Sequence, residues 1–264
     1  MKSVFLSIII IFSFITAKVE ARCYKGSSLV IDVNKLKVLY QDNASKVRYP
    51  ASLTKIMTIY LIFDELKSGK ITMNTKIKTS KKATLQQRSK LGLKLGEIIT
   101  VKQAIEALIV KSANDVAYAI GEHLGGGDVK KFVKMMNNKA KKLGMRNTHF
   151  VNPSGWHDSK QHTTAYDMSK LAIALRKYHP QYYKFFSTKE IIFHGKKIKT
   201  TNKILMNCKW VDGIKTGFTN PAGFNLLTSF KNKYLNLVIV VMGEKTAKER
   251  DEKIMKLIKQ FDKV

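Results

Sequence analysis

The sequence has few of the features that mark many protein classes. Its 264 residues include two cysteines, Cys23 and Cys208, too few for a disulfide framework, although one pairing after export stays open. The six histidines form no H-E-x-x-H pattern, and His157 and His162 are predicted in a loop, so no metal or other cofactor is expected. No zinc-finger spacing or RNA-recognition motif occurs, and nucleic acid is therefore not an expected partner. No internal repeat or low-complexity linker divides the chain.

Long apolar runs are also absent, apart from one at the start of the chain. A short basic end precedes an apolar stretch over 4–15, and small residues suit cleavage after Ala21. This pattern predicts a secretory signal peptide over 1–21, with an uncleaved anchor as the alternative. Arg22 precedes Cys23 where a lipidated cysteine needs a small residue, so no lipoprotein is predicted. The chain is expected to be exported, to the periplasm or the outer face of the cytoplasmic membrane.

Acidic residues are scarce. Asp and Glu total 19 against 48 Lys and Arg, which gives a formal net charge of +29. Such a field favours anionic partners. For an exported chain, we expect an anionic cell-wall polymer or a weak contact with an anionic membrane surface. The alternative is that most lysines are simply solvated and reflect composition.

The most informative feature present is the run S-L-T-K at 52–55, in which Ser52 is the only serine with a lysine three residues further on. A serine hydroxyl is a poor nucleophile until a base takes its proton. Positions i and i+3 share one face of a helix, so a helix beginning here brings the Lys55 amine to the Ser52 hydroxyl. The lysine acts as a base only if burial or nearby positive charge lowers its pKa. The alternative is that Lys55 is one more solvated lysine, which the apolar residues after it argue against.

A second candidate motif, S-A-N at 112–114, lies between two apolar helical runs. Such a polar group between buried segments fits the wall of a site. Ser112 is placed to relay protons between Lys55 and a leaving group, and the Asn114 amide to hold a substrate carbonyl. The alternative is ordinary helix capping by Ser112 or Asn114.

A third motif, K-T-G at 215–217, follows a predicted strand over 210–215. Gly217 has no side chain, so a substrate backbone can lie close against the strand edge. Lys215 and Thr216 offer a cation and a hydroxyl to an anionic ligand. The alternative is a glycine bulge in a surface strand.

Apolar periodicity predicts strands at both ends of the mature chain and helices between them, which indicates an α+β fold whose terminal segments share one sheet. A capping box, T-A-Y-D, begins the helix at 164. The last helix has one apolar face, expected to pack against the preceding strands, with a membrane surface as the alternative. Helices are predicted at 52–67, 101–111, 115–123, 128–143, 164–178 and 246–261, hairpins at 29–40 and 191–200, and strands at 210–215, 224–229 and 235–242.

The ordered trio of motifs is the signature of penicillin-binding proteins and class A β-lactamases. Further runs resemble the serine-type D-alanyl-D-alanine carboxypeptidases, the low-molecular-mass penicillin-binding proteins, over nearly the whole mature chain. The resemblance implies a β-lactamase/transpeptidase-like α+β fold: a five-stranded antiparallel sheet flanked by helices, with a helical subdomain. The runs are P-A-S-L-T-K-I-M-T at 50–58, L-G-M-R-N-T-H-F-V-N-P-S-G at 143–155, T-A-Y-D-M at 164–168 and W-V-D-G-I-K-T-G-F-T-N at 210–220.

The resemblance also implies roles for single residues. The implied catalytic residues are Ser52, Lys55 and Ser112. The implied substrate-binding residues are Asn114, Lys215, Thr216, Gly217 and Arg250. The backbone N–H groups of Ser52 and Phe218 would form the oxyanion hole. Some relatives carry a β-rich domain and an amphipathic anchor after the catalytic domain, whereas residues 22–264 are expected to be the catalytic domain alone.

The implied reaction removes the terminal D-alanine from a peptidoglycan stem pentapeptide through an acyl-enzyme on Ser52, and β-lactam antibiotics would be trapped on the same serine. A β-lactamase is disfavoured, because no glutamate occurs between Glu122 and Glu190 to direct deacylation. Two alternatives stay open. One is a D,D-endopeptidase that cuts peptidoglycan cross-links, and the other is a non-catalytic wall-binding protein.

Overall fold

The computed structural model describes residues 26–262. The predicted signal peptide over 1–21 and Cys23 lie outside the described residues. Between residues 26 and 262 the chain forms nine strands and nine α-helices. The strands are β1 Ser27–Asp32, β2 Lys37–Asp42, β3 Lys76–Lys78, β4 Ile98–Thr100, β5 Glu190–Phe193, β6 Lys196–Lys199, β7 Val211–Thr219, β8 Gly223–Lys231 and β9 Asn236–Glu244. The helices are α1 Thr54–Lys67, α2 Lys81–Thr84, α3 Val101–Val110, α4 Asn114–Leu124, α5 Val129–Lys142, α6 Ala165–Tyr178, α7 Pro180–Tyr183, α8 Lys203–Asn207 and α9 Ala247–Phe261.

Five strands form one antiparallel sheet in the order β2-β1-β9-β8-β7. The terminal segments meet in its middle, where Leu29 of β1 pairs with Val240 of β9. This confirms the predicted α+β fold with a shared sheet. Since β7 is the last strand of the order, one of its edges is left unpaired by the sheet.

Two apolar clusters hold the fold together, one on each face of the sheet. The smaller cluster joins the sheet to α9, whose Ile254, Leu257 and Ile258 are buried. The predicted packing of the last helix against the strands is therefore confirmed. Within residues 26–262, none of the helices combines the length and the apolar character needed to cross a bilayer.

The larger cluster contains the helical lobe, with α1 at its centre. Ten consecutive residues from Thr54 to Phe63 are buried, so α1 is enclosed on all sides. A helix that is apolar all round is a core helix, and its position is fixed by every neighbour it contacts. The segment that precedes it is thereby held at the boundary between the helical lobe and the sheet.

Local signals mark the ends of α1 and α5, whereas the start of α6 has only half of its predicted capping box. Gly69 and Gly144 follow α1 and α5 with φ of 75° and 70°, the left-handed conformation that glycine adopts without strain. At the start of α6 the Asp167 amide donates to Thr164 Oγ1 at 3.0 Å. The predicted capping box is wrong in its second half, because the Asp167 carboxylate instead accepts from the Asn147 amide at 2.8 Å and ties the preceding loop to the helix.

Candidate active site

The turn that carries Ser52 is a short 3-10 helix, Ala51–Leu53, that runs directly into α1. A 3-10 helix has three residues per turn, so the expected alignment of Ser52 with Lys55 holds although Ser52 precedes α1 itself. Ala51 has a φ of 48°, a left-handed conformation that costs a non-glycine residue free energy. Nothing in the sequence marks Ala51 for this conformation.

Two glycines pack closely against this turn. A Cβ on Gly155 would lie 1.8 Å from the Ala51 carbonyl oxygen, and a Cβ on Gly217 would lie 3.1 Å from the Ser52 nitrogen. Gly217 was expected to make room for a substrate backbone. The structure shows that its close neighbour is the backbone of the Ser52 turn itself. The absence of a side chain at both positions is therefore needed to keep Ser52 in this position.

The Lys55 amine lies fully buried behind Ser52. Its Nζ is 3.2 Å from Ser52 Oγ, 2.6 Å from Asn114 Oδ1 and 2.5 Å from the Ser154 carbonyl oxygen. The three partners come from three separate segments of the chain, so the amine is fixed in position. The solvated-lysine interpretation of Lys55 is wrong.

The surroundings of Lys55 favour its neutral form. Burial lowers the pKa of Lys55 well below its ordinary value, and the charge of Lys215 lowers it further, while Asp115 opposes both effects. A neutral amine has two N–H bonds and one lone pair. The two shortest contacts match acceptors for the two N–H bonds, which directs the lone pair to the Ser52 hydroxyl. The arrangement can take a proton from that hydroxyl.

Ser112 and Asn114 lie at the junction of α3 and α4. Neither caps a helix: the N-cap of α4 is Ala113, with no side-chain cap bond. Ser112 has a φ of 59°, and its buried Oγ makes no hydrogen bond to any residue in the described part of the chain. Asn114 uses its amide oxygen for Lys55 and donates Nδ2 to the Gln87 carbonyl at 2.9 Å. Both side chains reach the site, and that of Asn114 serves the lysine.

The K-T-G motif lies in the middle of β7 and not at its end. The strand was predicted over 210–215, but pairing with β8 continues to Thr219, opposite Gly223. The buried Asn225 of β8 donates to the Tyr49 and Pro50 carbonyls at 3.1 Å each, which joins this part of the sheet to the Ser52 turn. Sequence reasoning missed Asn225, since nothing distinguishes it from any other asparagine in a strand.

Lys215 is the second buried cation of the site. Burial, and then the charge of Arg250, lowers the pKa of Lys215 to about 7. Its Nζ donates to the Thr216 carbonyl at 2.9 Å. Arg250 is itself buried and donates to the Asp251 carboxylate from Nε and Nη2. Arg250 is therefore already ion-paired with Asp251, whereas Lys215 contacts only a neutral carbonyl, and both cations lie beside one edge of the site.

These residues surround one cavity of about 730 Å³. All the predicted site residues line it except Lys55 and Lys215, which lie buried beneath its wall. Phe218, whose amide was assigned to the oxyanion hole, is 48% exposed there and stacks on Phe224 with ring centroids 4.2 Å apart. The predicted residues in its lining are Ser52, Ser112, Asn114, Thr216, Gly217, Phe218 and Arg250.

Two further residues shape the site without belonging to the three motifs. The buried Asp115 carboxylate accepts the amides of Leu91, Gly92 and Leu93 and holds the loop beside the cavity. Asn152 Oδ1 accepts the Gly155 amide at 2.7 Å and so folds the segment whose Ser154 carbonyl contacts Lys55. The only sequence signal for this segment was the run N-P-S-G, which belongs to the resemblance quoted above.

Comparison with known proteins gives the family. The model of the D-alanyl-D-alanine carboxypeptidase family, peptidase S11, matches residues 15–246. The chain therefore belongs to the D-alanyl-D-alanine carboxypeptidase family. The matched range stops short of Arg250, so the place of this arginine in the site rests on the cavity geometry alone.

Two curated relatives bear on the activity. D-alanyl-D-alanine carboxypeptidase DacF of Bacillus subtilis is 38% identical over 237 residues, which cover 88% of this chain and 60% of that protein. The D-alanyl-D-alanine endopeptidase of Escherichia coli is 32% identical over 225 residues, covering 81% of this chain and 70% of that protein. The chain thus spans 60% to 62% of the length of the first carboxypeptidases it matches.

Solved structures confirm the fold. The D-alanyl-D-alanine carboxypeptidase DacD from Francisella tularensis has a TM-score of 0.86 at 28% identity, covering 88% of this chain and 69% of that one. Penicillin-binding protein D2 from Listeria monocytogenes, solved in its cefotaxime-bound form, has a TM-score of 0.79 at 30% identity and covers 88% of this chain and 95% of that one. The predicted penicillin-binding-protein fold is correct.

Proposed function

We propose that this protein is a serine-type D-alanyl-D-alanine carboxypeptidase that removes the terminal D-alanine from peptidoglycan stem pentapeptides. The observation that carries the proposal is the contact of the buried Lys55 amine with Ser52, with its other two near neighbours both acceptors. Membership of the carboxypeptidase family supports the choice of substrate. β-Lactams are proposed as inhibitors that acylate the same serine, and the cefotaxime-bound relative supports this.

The proposed reaction is an acyl transfer in two halves. The Ser52 hydroxyl proton passes to Lys55 Nζ while Oγ bonds to the carbonyl carbon of the penultimate D-alanine. The amides of Ser52 and Phe218 stabilise the oxyanion. When the peptide C–N bond breaks, the departing amine takes the proton through Ser112. A water molecule then gives a proton to Lys55 and attacks the ester, which releases the shortened peptide and restores Ser52.

The substrate's terminal carboxylate is proposed to lie against Lys215, Thr216 and Arg250. Two nearby cations and a hydroxyl offer charge-assisted hydrogen bonds to such a group. This part of the proposal explains why a buried cation is kept at 215 although its burial is unfavourable. The stem peptide requires an exported enzyme, so we propose a location outside the cytoplasm. A weak contact of the basic surface with anionic membrane is part of that proposal.

The test is mass spectrometry of the protein after brief exposure to benzylpenicillin, followed by an assay for D-alanine release from a stem pentapeptide. We expect a slowly decaying adduct on the peptide that contains Ser52, absent from Ser52→Ala, and D-alanine release by the unmodified protein. Folded protein that neither forms the adduct nor releases D-alanine would overturn the proposal and favour a wall-binding protein.

A D,D-endopeptidase is the second candidate, favoured by the 32% identity to the E. coli endopeptidase. Both reactions use the same acyl-enzyme, so the adduct does not separate them. Digestion of purified cross-linked muropeptide dimers beside monomeric pentapeptides does. Cleavage of the dimers to monomers at a rate comparable to D-alanine release would identify an endopeptidase.

A further inference from the structure

Four cations around the active-site cavity have no part in the reaction proposed above. They are Arg88, Lys90, Lys111 and Lys203, here named the cationic rim. Arg88 and Lys203 are exposed, and Lys90 and Lys111 are half-buried. No Asp or Glu lines the cavity with them, and none of the four forms an ion pair within residues 26–262. Lys90 Nζ donates to the Thr84 carbonyl at 3.0 Å, a neutral acceptor, so no described carboxylate neutralises the charge of the rim.

The rim is held in place by the fold. The Asp115 carboxylate accepts the Leu91, Gly92 and Leu93 amides at 2.9, 2.8 and 3.2 Å, directly after Lys90 in the chain. Ser89 Oγ donates to the Lys111 carbonyl at 2.9 Å, which joins the two parts of the rim. Asp115 is fully buried with its oxygens engaged, so it is no counter-ion inside the cavity. The backbone that presents these cations is fixed before a ligand arrives.

The position of the rim calls for a second anionic group on the ligand. The terminal carboxylate is assigned to Lys215, Thr216 and Arg250, on the sheet side of the cavity. Arg88, Lys90 and Lys111 come from the helical lobe, whereas Lys203 begins α8, which packs on β7. One carboxylate does not serve both walls of a cavity of about 730 Å³. A substrate that satisfies both carries another carboxylate on the acyl-donor side of the scissile bond.

We infer that the cationic rim selects stem peptides that retain a free side-chain carboxylate upstream of the two D-alanines, over peptides in which that group is a carboxamide. The inference rests on the proposed function, because it takes Ser52 as the reacting residue. A carboxylate and a carboxamide have nearly the same shape, so the discrimination is one of charge. Unpaired cations in a concave site raise the local concentration of an anionic ligand and offer charge-assisted hydrogen bonds to it.

The test uses two synthetic pentapeptides that differ only in carboxylate or carboxamide on the side chain of the residue before D-Ala-D-Ala. We expect kcat/KM for D-alanine release to favour the carboxylate peptide by about tenfold at low salt, because several weak, partly exposed charge contacts act together. The ratio is expected to decline as ionic strength rises. Equal kcat/KM values for the two peptides at low salt would overturn the inference.

The whole chain carries a net charge of +29, so the control must separate the rim from the overall field. The Arg88→Gln/Lys111→Gln variant removes two rim charges. The Lys134→Gln/Lys141→Gln variant removes two exposed charges from α5, outside the cavity. We expect the carboxylate-to-carboxamide ratio to fall toward one in the first variant and to keep its full value in the second. An equal fall in both would assign the preference to the overall charge and contradict the rim.

A binding measurement keeps this result separate from the proposed function. Calorimetric titration of Ser52→Ala with the two peptides needs no turnover. Tighter binding of the carboxylate peptide, lost when Arg88→Gln/Lys111→Gln is added, would support the selection of carboxylate peptides by the cationic rim. This holds even if the unmodified protein releases no D-alanine, because that result would contradict only the carboxypeptidase proposal. Equal binding of the two peptides would overturn the inference even if both are cleaved.

Discussion

The Lys55 Nζ atom lies 3.2 Å from Ser52 Oγ and closer to two other oxygens, those of Asn114 and the Ser154 carbonyl. The two shorter contacts hold the amine by its N–H bonds and leave its lone pair for the serine. Burial favours the neutral amine, because it lowers the pKa of Lys55 well below the ordinary value. The burial of Lys55 therefore both positions its amine and favours its neutral form.

The first prediction concerns the base. Lys55→Arg places a permanent cation where the neutral amine lies, and it provides no group that accepts a proton near neutral pH. We expect its rate of acylation by benzylpenicillin to fall at least about a hundredfold, the usual contribution of general-base catalysis. Stopped-flow or mass-spectrometric acylation rates check this, with circular dichroism as the control for folding. Acylation of Lys55→Arg at the unmodified rate would remove Lys55 from the mechanism.

The second prediction is a bell-shaped pH profile of kcat/KM. Activity is expected to rise with pH as Lys55 loses its proton, and to fall again as Lys215 loses its charge, since the pKa of Lys215 is lowered to about 7. The two lysines repel each other, so the limbs belong to the pair. In Lys215→Arg the cation does not titrate, and the falling limb should disappear while the rising limb remains. A falling limb that survives in Lys215→Arg contradicts the assignment.

The third prediction is that the buried charge of Lys215 lowers the stability of the folded protein. Lys215 has a folded-state pKa of about 7 against 10.5 unfolded, so between these values the unfolded state binds more protons and stability rises with pH. The unfavourable contribution is greatest below pH 7. Lys215→Met should therefore raise the free energy of unfolding by about 2 kcal/mol at pH 6, with a smaller gain at pH 9.

Urea denaturation at both pH values measures this gain. Lys134→Met is the matched control, because Lys134 is exposed and its removal relieves no burial. Loss of D-alanine release should accompany the gain in stability. Lys215→Met could instead be less stable than the unmodified protein at pH 6, or its gain in the free energy of unfolding could be the same at both pH values. Either result would show that the fold compensates the buried charge and would contradict the prediction.

Sequence reasoning reached residues that line the cavity or lie buried beside it, but not the contacts that hold them in position. The spacing of Ser52 and Lys55, the apolar face of α9 and the alternation of apolar and polar residues over 29–40 are local patterns, and each predicted its element. Lys55 and the Ser154 carbonyl are separated by 99 positions. A backbone carbonyl is present in every residue and leaves no mark in the sequence. Contacts of that kind become visible only in the folded chain.

The boundaries that were wrong have the same origin. The strand containing Lys215 continues past Gly217 because Phe218 and Thr219 pair with Phe224 and Gly223, and pairing is decided between strands. The left-handed Ala51 likewise follows from the packing of its turn between a loop and β7. Local propensity disfavours that conformation, so propensity alone predicted an unremarkable helix start.

The last prediction tests that packing. A methyl group on Gly155 would lie 1.8 Å from the Ala51 oxygen, and the φ of Gly155 is +80°. Gly155→Ala should therefore displace the turn that carries Ser52. We expect a loss of about 3 kcal/mol or more in the free energy of unfolding, a size typical of such backbone clashes. The acylation rate should fall at least about tenfold, because small displacements of a reacting group are costly.

Gly126→Ala is the matched control for this change. Gly126 has a similar φ of +65°, but a methyl group there would meet no atom within 4 Å. It should cost only about 1 kcal/mol, the backbone preference of glycine over alanine in this conformation, and leave acylation unchanged. The difference between the two variants in these measurements separates the effect of the clash with Ala51 from the cost of a left-handed alanine. If Gly155→Ala behaves like Gly126→Ala in both measurements, the Ser52 turn does not depend on its contact with Gly155, and the serine must be seated by α1 and β7 alone.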